Sequence, residues 1–144
     1  MASLEEIRAT RLEKVEILRK NGMDPYPAKA ERTFSVGEAE KNFDRIAGEK
    51  KSVTLAGRVM SVRAQGALIF FHFFDGTGKF QGLLKKPETE SEFTKVFDLF
   101  MQTVDVGDFL EVTGIPFLTK RGERTLEVSG WKMLTKSLLP LPEK

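Results

Sequence analysis

Leu68-Ile69-Phe70-Phe71-His72-Phe73-Phe74-Asp75-Gly76-Thr77-Gly78-Lys79-Phe80-Gln81-Gly82-Leu83-Leu84-Lys85 decides how this chain folds. Two short apolar and aromatic runs flank a cluster of turn residues, which is the pattern of an antiparallel hairpin. If the turn pairs Phe74 with Lys79, then His72 faces Gln81 and Phe70 faces Leu83. Side chains directly opposite each other share a sheet face. One face then carries Leu68, Phe70, His72 and Phe74 with Lys79, Gln81, Leu83 and Lys85. The other carries Ile69, Phe71 and Phe73 with Phe80, Gly82 and Leu84. The second set is wholly apolar and is assigned to the core; the first mixes rings with amide, imidazole and ammonium groups.

Upstream of the hairpin, Val53 to Arg63 reads as one long strand, with Gly57 as a bend. Ala64-Gln65-Gly66-Ala67 is the turn that leads into it. A four-residue turn places Arg63 opposite Leu68, on the face of Phe70; a bulge in the strand would move it. Downstream, Pro87 stops the hairpin. Thr89 and Glu92 have capping-box spacing, and Phe93, Val96, Phe97, Phe100, Met101 and Val104 follow at helical spacing. That stripe is most simply the core-facing side of a helix and not a cofactor box. Val106-Gly107-Asp108 turns the chain. Phe109 to Thr119 and Thr125 to Leu134 are two more strands, joined by Lys120-Arg121-Gly122-Glu123.

The N-terminal part is helical. Ser3 and Glu6 form a capping box for a charged helix with Leu4, Ile7, Val15 and Leu18 near one stripe. Asn21-Gly22 ends it, and Asp24-Pro25-Tyr26-Pro27 forces an extended exit. The simplest reading is a solvated amphipathic helix packed on the next domain or on a partner. Its basic face, Arg8, Arg11, Lys14 and Arg19, is a further candidate for contact with an RNA backbone. Ser35 and Glu38 cap a second, short helix that runs to about Phe43, and Ala47 to Lys50 reads as a polar turn. The order is helix, helix, then β-β-β-α-β-β. Five strands with a helix between the third and fourth is the arrangement of the OB-fold barrel. The expected division is an N-terminal helical extension over 1–48, the barrel over 49–136 and the start of a linker over 137–144.

Composition narrows the function. The chain has 144 residues, of which 40% are hydrophobic, enough for a core of its own. It has no cysteine, so disulfides, thiolate metal sites and cysteine nucleophiles are excluded. No apolar run approaches the ~20 residues needed to span a bilayer, and the acidic N-terminus has no signal-peptide core. A reducing, cytoplasmic setting and no membrane partner are expected. Net charge is +2, from 23 basic and 21 acidic side chains. A nucleic-acid partner would therefore have to be held by a local site and not by bulk attraction.

The mixed face of the hairpin supplies such a site. Rings stack on bases for roughly 1–3 kcal/mol each, polar groups read base edges, and lysines such as Lys79 meet phosphates. Phe70 and Phe74 have a blander alternative, which is to pack beneath the N-terminal helices; for Phe74 that is the preferred reading. His72, the single histidine, has no partner at metal-ligand or triad spacing. It reads as a strand residue beside the site. Gly76-Thr77-Gly78 is a hairpin turn and not a nucleotide fingerprint.

Several stretches together resemble the class II lysyl-tRNA synthetases. They are Arg11-Leu12-Glu13-Lys14, Leu18 through Pro27, Ala56-Gly57-Arg58-Val59-Met60-Ser61-Val62-Arg63, and Phe73 through Gln81. Val106-Gly107-Asp108, Thr119-Lys120-Arg121-Gly122-Glu123 and Leu139-Pro140-Leu141-Pro142-Glu143-Lys144 match in order and spacing as well. The resemblance covers nearly the whole chain. It implies recognition of the uridine-rich anticodon loop of lysine tRNA. By this resemblance Phe70 is the ring that stacks on the central uridine, and Arg63, Gln81 and Glu123 bond that base. In the family a basic and small polar stretch usually lies between Gly66 and Phe70; here it is Ala67-Leu68-Ile69, so a backbone contact is expected to be missing. Phe71-His72-Phe73-Phe74 is also more aromatic than usual. ATP and magnesium are implied only for a catalytic domain beyond Lys144, so these residues are expected to hold no cofactor and to be inactive alone. The full-length enzyme is implied to be a homodimer. Two other functions fit the residues: a free-standing OB module for single strands without sequence preference, and an interaction domain whose helices dimerise.

Overall fold

A computed structural model describes residues 2–27 and 32–140. The elements run α1 (Leu4–Lys20), α2 (Val36–Lys41), α3 (Phe43–Glu49), β1 (Val53–Gln65), β2 (Leu68–Phe74), β3 (Lys79–Lys85), α4 (Glu92–Thr103), β4 (Phe109–Leu118) and β5 (Arg124–Thr135). The strands close into a barrel in the order β1-β2-β3-β5-β4, with β1 also pairing β4. Every pair is antiparallel except β3 with β5. The expected five-stranded OB barrel, with its inserted helix and N-terminal helices, is the observed fold.

The hairpin register is the one that turn chemistry predicts: Phe74 pairs Lys79, His72 pairs Gln81 and Phe70 pairs Leu83. Ile69, Phe71, Phe73, Phe80 and Leu84 are buried in one core. Gly82 lies among them because a methyl there would collide with the Phe71 ring. The α4 helix packs on this core, with the Phe100 ring centroid 4.9 Å from Phe71 and 5.3 Å, edge-on, from Trp131. Phe43 of α3 meets Phe80 at 6.1 Å. Rings in such tilted arrangements gain from edge-to-face contact beyond their burial.

Several expectations are corrected. The β1–β2 turn is tighter than four residues, with Gln65 opposite Leu68 and Gly66 at φ 58°. Arg63 therefore pairs Phe70 and not Leu68. The offset is two residues, so Arg63 stays on the expected face. A bulge at Met60 shifts the register between Val59 and Ser61. Ala47 to Lys50 is not a polar turn: α3 runs through Glu49, because Phe43 and Ile46 are buried against the barrel, and Lys50 ends it at φ 53°. The N-cap of α4 is Ser91 and not Thr89; the Ser91 N–H donates to Thr94 Oγ1 at 3.1 Å. Met101 and Leu4 are exposed; the α4 core face is Phe97 and Phe100, and the α1 face is Arg11, Val15 and Leu18.

Phe74 does not pack under the helices; it is 43% exposed. The α2 helix docks instead on the turn beyond it. Val36 N–H donates to Asp75 Oδ2 at 2.9 Å, and Gly37 N–H to Thr77 Oγ1 at 2.9 Å. Asp75 Oδ1 also accepts from Thr77 N–H, Thr77 Oγ1 and Gly78 N–H. Burial, the largest single influence, pushes this carboxyl up. The hydrogen bonds from Thr77, Val36 and Gly78 together outweigh it and hold Asp75 below its ordinary value.

The α1 helix is fixed by charge. The Lys136 side chain is fully buried and its Nζ lies 2.7 Å from both Asp105 Oδ2 and Asp108 Oδ2. Lys14 Nζ is 2.6 Å from Asp105 Oδ1. Arg11 donates to the Ser137 and Leu139 carbonyls at 3.2 and 2.9 Å. Burial raises the Asp105 carboxyl most strongly, but Lys136 and Lys14 prevail and lower it; at Asp108 burial prevails over Lys136 and raises it. Of the expected linker, residues 137–140 are described and Ser137 to Leu139 lie against α1 through Arg11; Leu141 to Lys144 lie outside the described residues.

Candidate nucleic-acid interface

The four residues that the resemblance assigns to the base converge on one cleft. Arg63 from β1, Phe70 from β2, Gln81 from β3 and Glu123 from the β4–β5 loop line a cavity of about 320 Å³, with Lys120 and Arg121 at its edge. The pairing of Arg63 with Phe70 sets its floor: the guanidinium carbon sits 5.2 Å from the ring centroid. That is cation–π distance, so the ring face and the cation form one surface.

Gln81 differs from the exposed position expected of the mixed face. It is only 4% exposed. Its Nε2 donates to Thr125 Oγ1 at 2.9 Å, and Thr125 Oγ1 donates to the Glu123 carbonyl at 3.1 Å. The amide is thereby fixed, and it lines the cleft from beneath. Glu123 is also tied through its backbone. Its N–H donates to Thr119 Oγ1 at 3.0 Å, and its carbonyl accepts from Thr119 N–H at 3.0 Å. Its carboxylate is left at the surface. Thr119 and Thr125 were not legible as site residues. Their only sequence signal is that they flank Glu123, Thr119 at the start of the β4–β5 connection and Thr125 at the start of β5.

His72 and Lys79 line a second hollow of about 320 Å³ that shares Gln81 and Glu123 with the first. His72 is not an isolated strand residue. Its Nδ1 is 2.9 Å from Ser61 Oγ and its Nε2 is 3.4 Å from Glu123 Oε2. Lys79 is exposed at the β2–β3 turn, and its N–H donates to Glu40 Oε1 of α2. Glu40 in turn faces Arg124 at 3.8 Å. The basic face of α1 is largely withdrawn from this role, because Arg11 and Lys14 are held by Asp105 and the carbonyls described above.

An aromatic ring, a guanidinium, an amide and a carboxylate around one hollow can stack a planar heterocycle and bond its edge. The model of the OB-fold nucleic acid binding domain family matches residues 53–134, the barrel short of Thr135, the last residue of β5. The chain belongs to that family. Its hollow lies on β1 to β3 and the β4–β5 loop, the face and loop through which OB barrels take oligonucleotides. The resemblance to lysyl-tRNA synthetases is borne out as well. The lysine–tRNA ligase of Thermotoga maritima is 40% identical over 98% of this chain and 28% of its own length. That of Carboxydothermus hydrogenoformans is 40% identical over the same shares. That of Parasynechococcus marenigrum is 42% identical over 98% of this chain and 29% of its own length. This OB-fold chain thus spans less than a third of the length of these relatives. Among its described residues no helix is long and apolar enough to cross a membrane.

Proposed function

We propose that this chain is the anticodon-binding module of a lysine–tRNA ligase and reads the central uridine of the lysine anticodon. The carrying observation is the convergence of Arg63, Phe70, Gln81 and Glu123 on one hollow. A uracil base stacks on Phe70 as the Arg63 guanidinium, which lies over that ring in the free chain, moves aside to the edge of the base. Its edge presents an N–H donor between two carbonyl oxygens, so it needs an acceptor flanked by donors. The Glu123 carboxylate accepts the N–H, and Arg63 donates to a carbonyl. The Gln81 amide, held by Thr125, fixes the depth of the base. Cytosine turns a lone pair toward the carboxylate and is disfavoured. Lys79, Lys120 and Arg121 stand where flanking phosphates pass. The enzyme of which this is one module uses ATP and magnesium elsewhere in its chain, works in the cytoplasm and is a homodimer.

The test is titration with a lysine-anticodon stem-loop and a variant with cytidine at the central position. One well-made edge contact is worth about 1–3 kcal/mol of discrimination, so the uridine loop should bind about tenfold tighter or more. Equal binding of the two loops would show a barrel that takes single strands without reading them. No binding of either, with dimers in light scattering, would favour an interaction domain.

A further inference from the structure

The bulge at Met60 has a chemical result. Without it, continued pairing from Val59 with Phe73 would set Met60 opposite His72. With it, Ser61 takes that place. The imidazole then has a hydroxyl on one side, 2.9 Å from Nδ1, and a carboxylate on the other, 3.4 Å from Nε2. The carboxylate accepts, so Nε2–H donates to Glu123, and the Ser61 hydroxyl, which can donate or accept, meets Nδ1 on the other side and fixes the plane of the ring. A bare Nε2 would turn its lone pair toward an anionic oxygen. The three residues come from β1, β2 and the β4–β5 loop, so the relay ties the loop tip to the sheet. The Glu123 backbone is held by Thr119 and Thr125, but its side chain is 45% exposed, and His72 is the group that holds it from the sheet side.

We propose that His72, oriented by Ser61, is a positioning residue that aims the Glu123 carboxylate at the base edge and so sets the selectivity of the hollow for uridine. The proposal rests on the anticodon reading above and adds a residue that need not touch the base. Holding a flexible carboxylate in its bound orientation before the ligand arrives removes part of the ordering penalty of binding. It also keeps one oxygen on His72 and presents the other to the base. A base with a donor at that edge gains from the fixed oxygen, whereas one with a lone pair there meets a charge that does not turn away. The effect falls on the uridine-to-cytidine ratio more than on overall affinity.

The experiment compares His72→Leu, His72→Asn and His72→Gln with the wild-type chain. Each is titrated with stem-loops carrying central uridine and central cytidine, and thermal melts confirm that each is folded. A glutamine amide nitrogen reaches the place of Nε2 and can donate to Glu123. An asparagine reaches only the place of Nδ1, toward Ser61. The expected result is a roughly three- to tenfold fall in the uridine-to-cytidine ratio for His72→Leu and His72→Asn, as for loss of one hydrogen bond, and substantial rescue in His72→Gln. A wild-type ratio in His72→Leu, or a His72→Gln ratio no better than that of His72→Asn, overturns the positioning role and leaves the anticodon reading standing. A wild-type chain with no preference for uridine removes both.

Discussion

Phe70 and Phe71 are adjacent residues of β2 with opposite surroundings. Phe71 is fully buried against Phe73 and Phe100, while Phe70 lies half-buried in the hollow beneath Arg63. Strand alternation alone separates them. Phe70→Ala should weaken stem-loop binding by about 1–3 kcal/mol, the worth of one stacked base, with little change in melting temperature. Phe71→Ala should destabilise the fold by about 3–5 kcal/mol, seen in denaturant melts. A second residue-scale prediction concerns Lys136. Its Nζ lies between two aspartates that are themselves largely removed from water. Lys136→Met removes the cation between them: Asp105 keeps Lys14, while buried Asp108 is left with the Asp105 and Ser137 N–H groups. The loss should be about 3–5 kcal/mol of stability by chemical denaturation, with the hollow between Arg63 and Glu123 unaffected.

At the scale of elements, the β2–β3 turn holds both the hairpin and α2. Asp75 accepts from the turn and from the first N–H of the helix, where a negative charge also meets the helix dipole. Its folded pKa lies below the ordinary 3.8. Its contribution to stability is therefore complete above the unfolded value and is lost as pH falls through the depressed folded value. Asp75→Asn should lower stability near neutral pH and flatten the acid limb of a stability-against-pH curve; an unchanged acid limb would contradict this. The same hairpin shows how far local sequence reaches. The Asp-Gly-Thr-Gly turn fixes the register of β2 on β3, and with it the sorting of Ile69, Phe71 and Phe73 inward, from the local pattern of Leu68 to Lys85 alone. The parallel pairing of Gln81 with Thr125 has no turn to announce it, so the burial of Gln81 was not legible. The Met60 bulge left only a faint trace, the adjacent apolar pair Val59-Met60 at which the alternation changes phase, and that pair alone does not distinguish a bulge from an exposed methionine. Phe74 was misplaced for a related reason: the docking of α2 on Asp75 and Thr77 depends on tertiary contact between segments about 40 residues apart. The four residues of the hollow were placed by combining parity with family resemblance; parity alone could not bring the β4–β5 loop to β2.

The whole molecule carries a net charge of only +2, and two of the α1 cations, Arg11 and Lys14, are spent on Asp105 and the carbonyls of Ser137 and Leu139. Around the hollow, the exposed cations placed to follow an RNA backbone are chiefly Lys79, Lys120 and Arg121. With about three phosphate contacts, log affinity should fall with log salt at a slope of about −2, as for a single strand. A slope near −5 would mean that attraction is spread over a much wider surface. If one hollow on an OB barrel reads one base, as proposed, the barrel discriminates between bases at that position. The most direct measurement of this is the ratio of stem-loop affinities for central uridine over central cytidine, at one stated salt concentration, in the wild-type chain and in Phe70→Ala. The expected result is a ratio of about ten or more in the wild type and a marked loss of affinity for the uridine loop in Phe70→Ala. Equal affinities in the wild type, or an unaffected Phe70→Ala, would contradict the proposal.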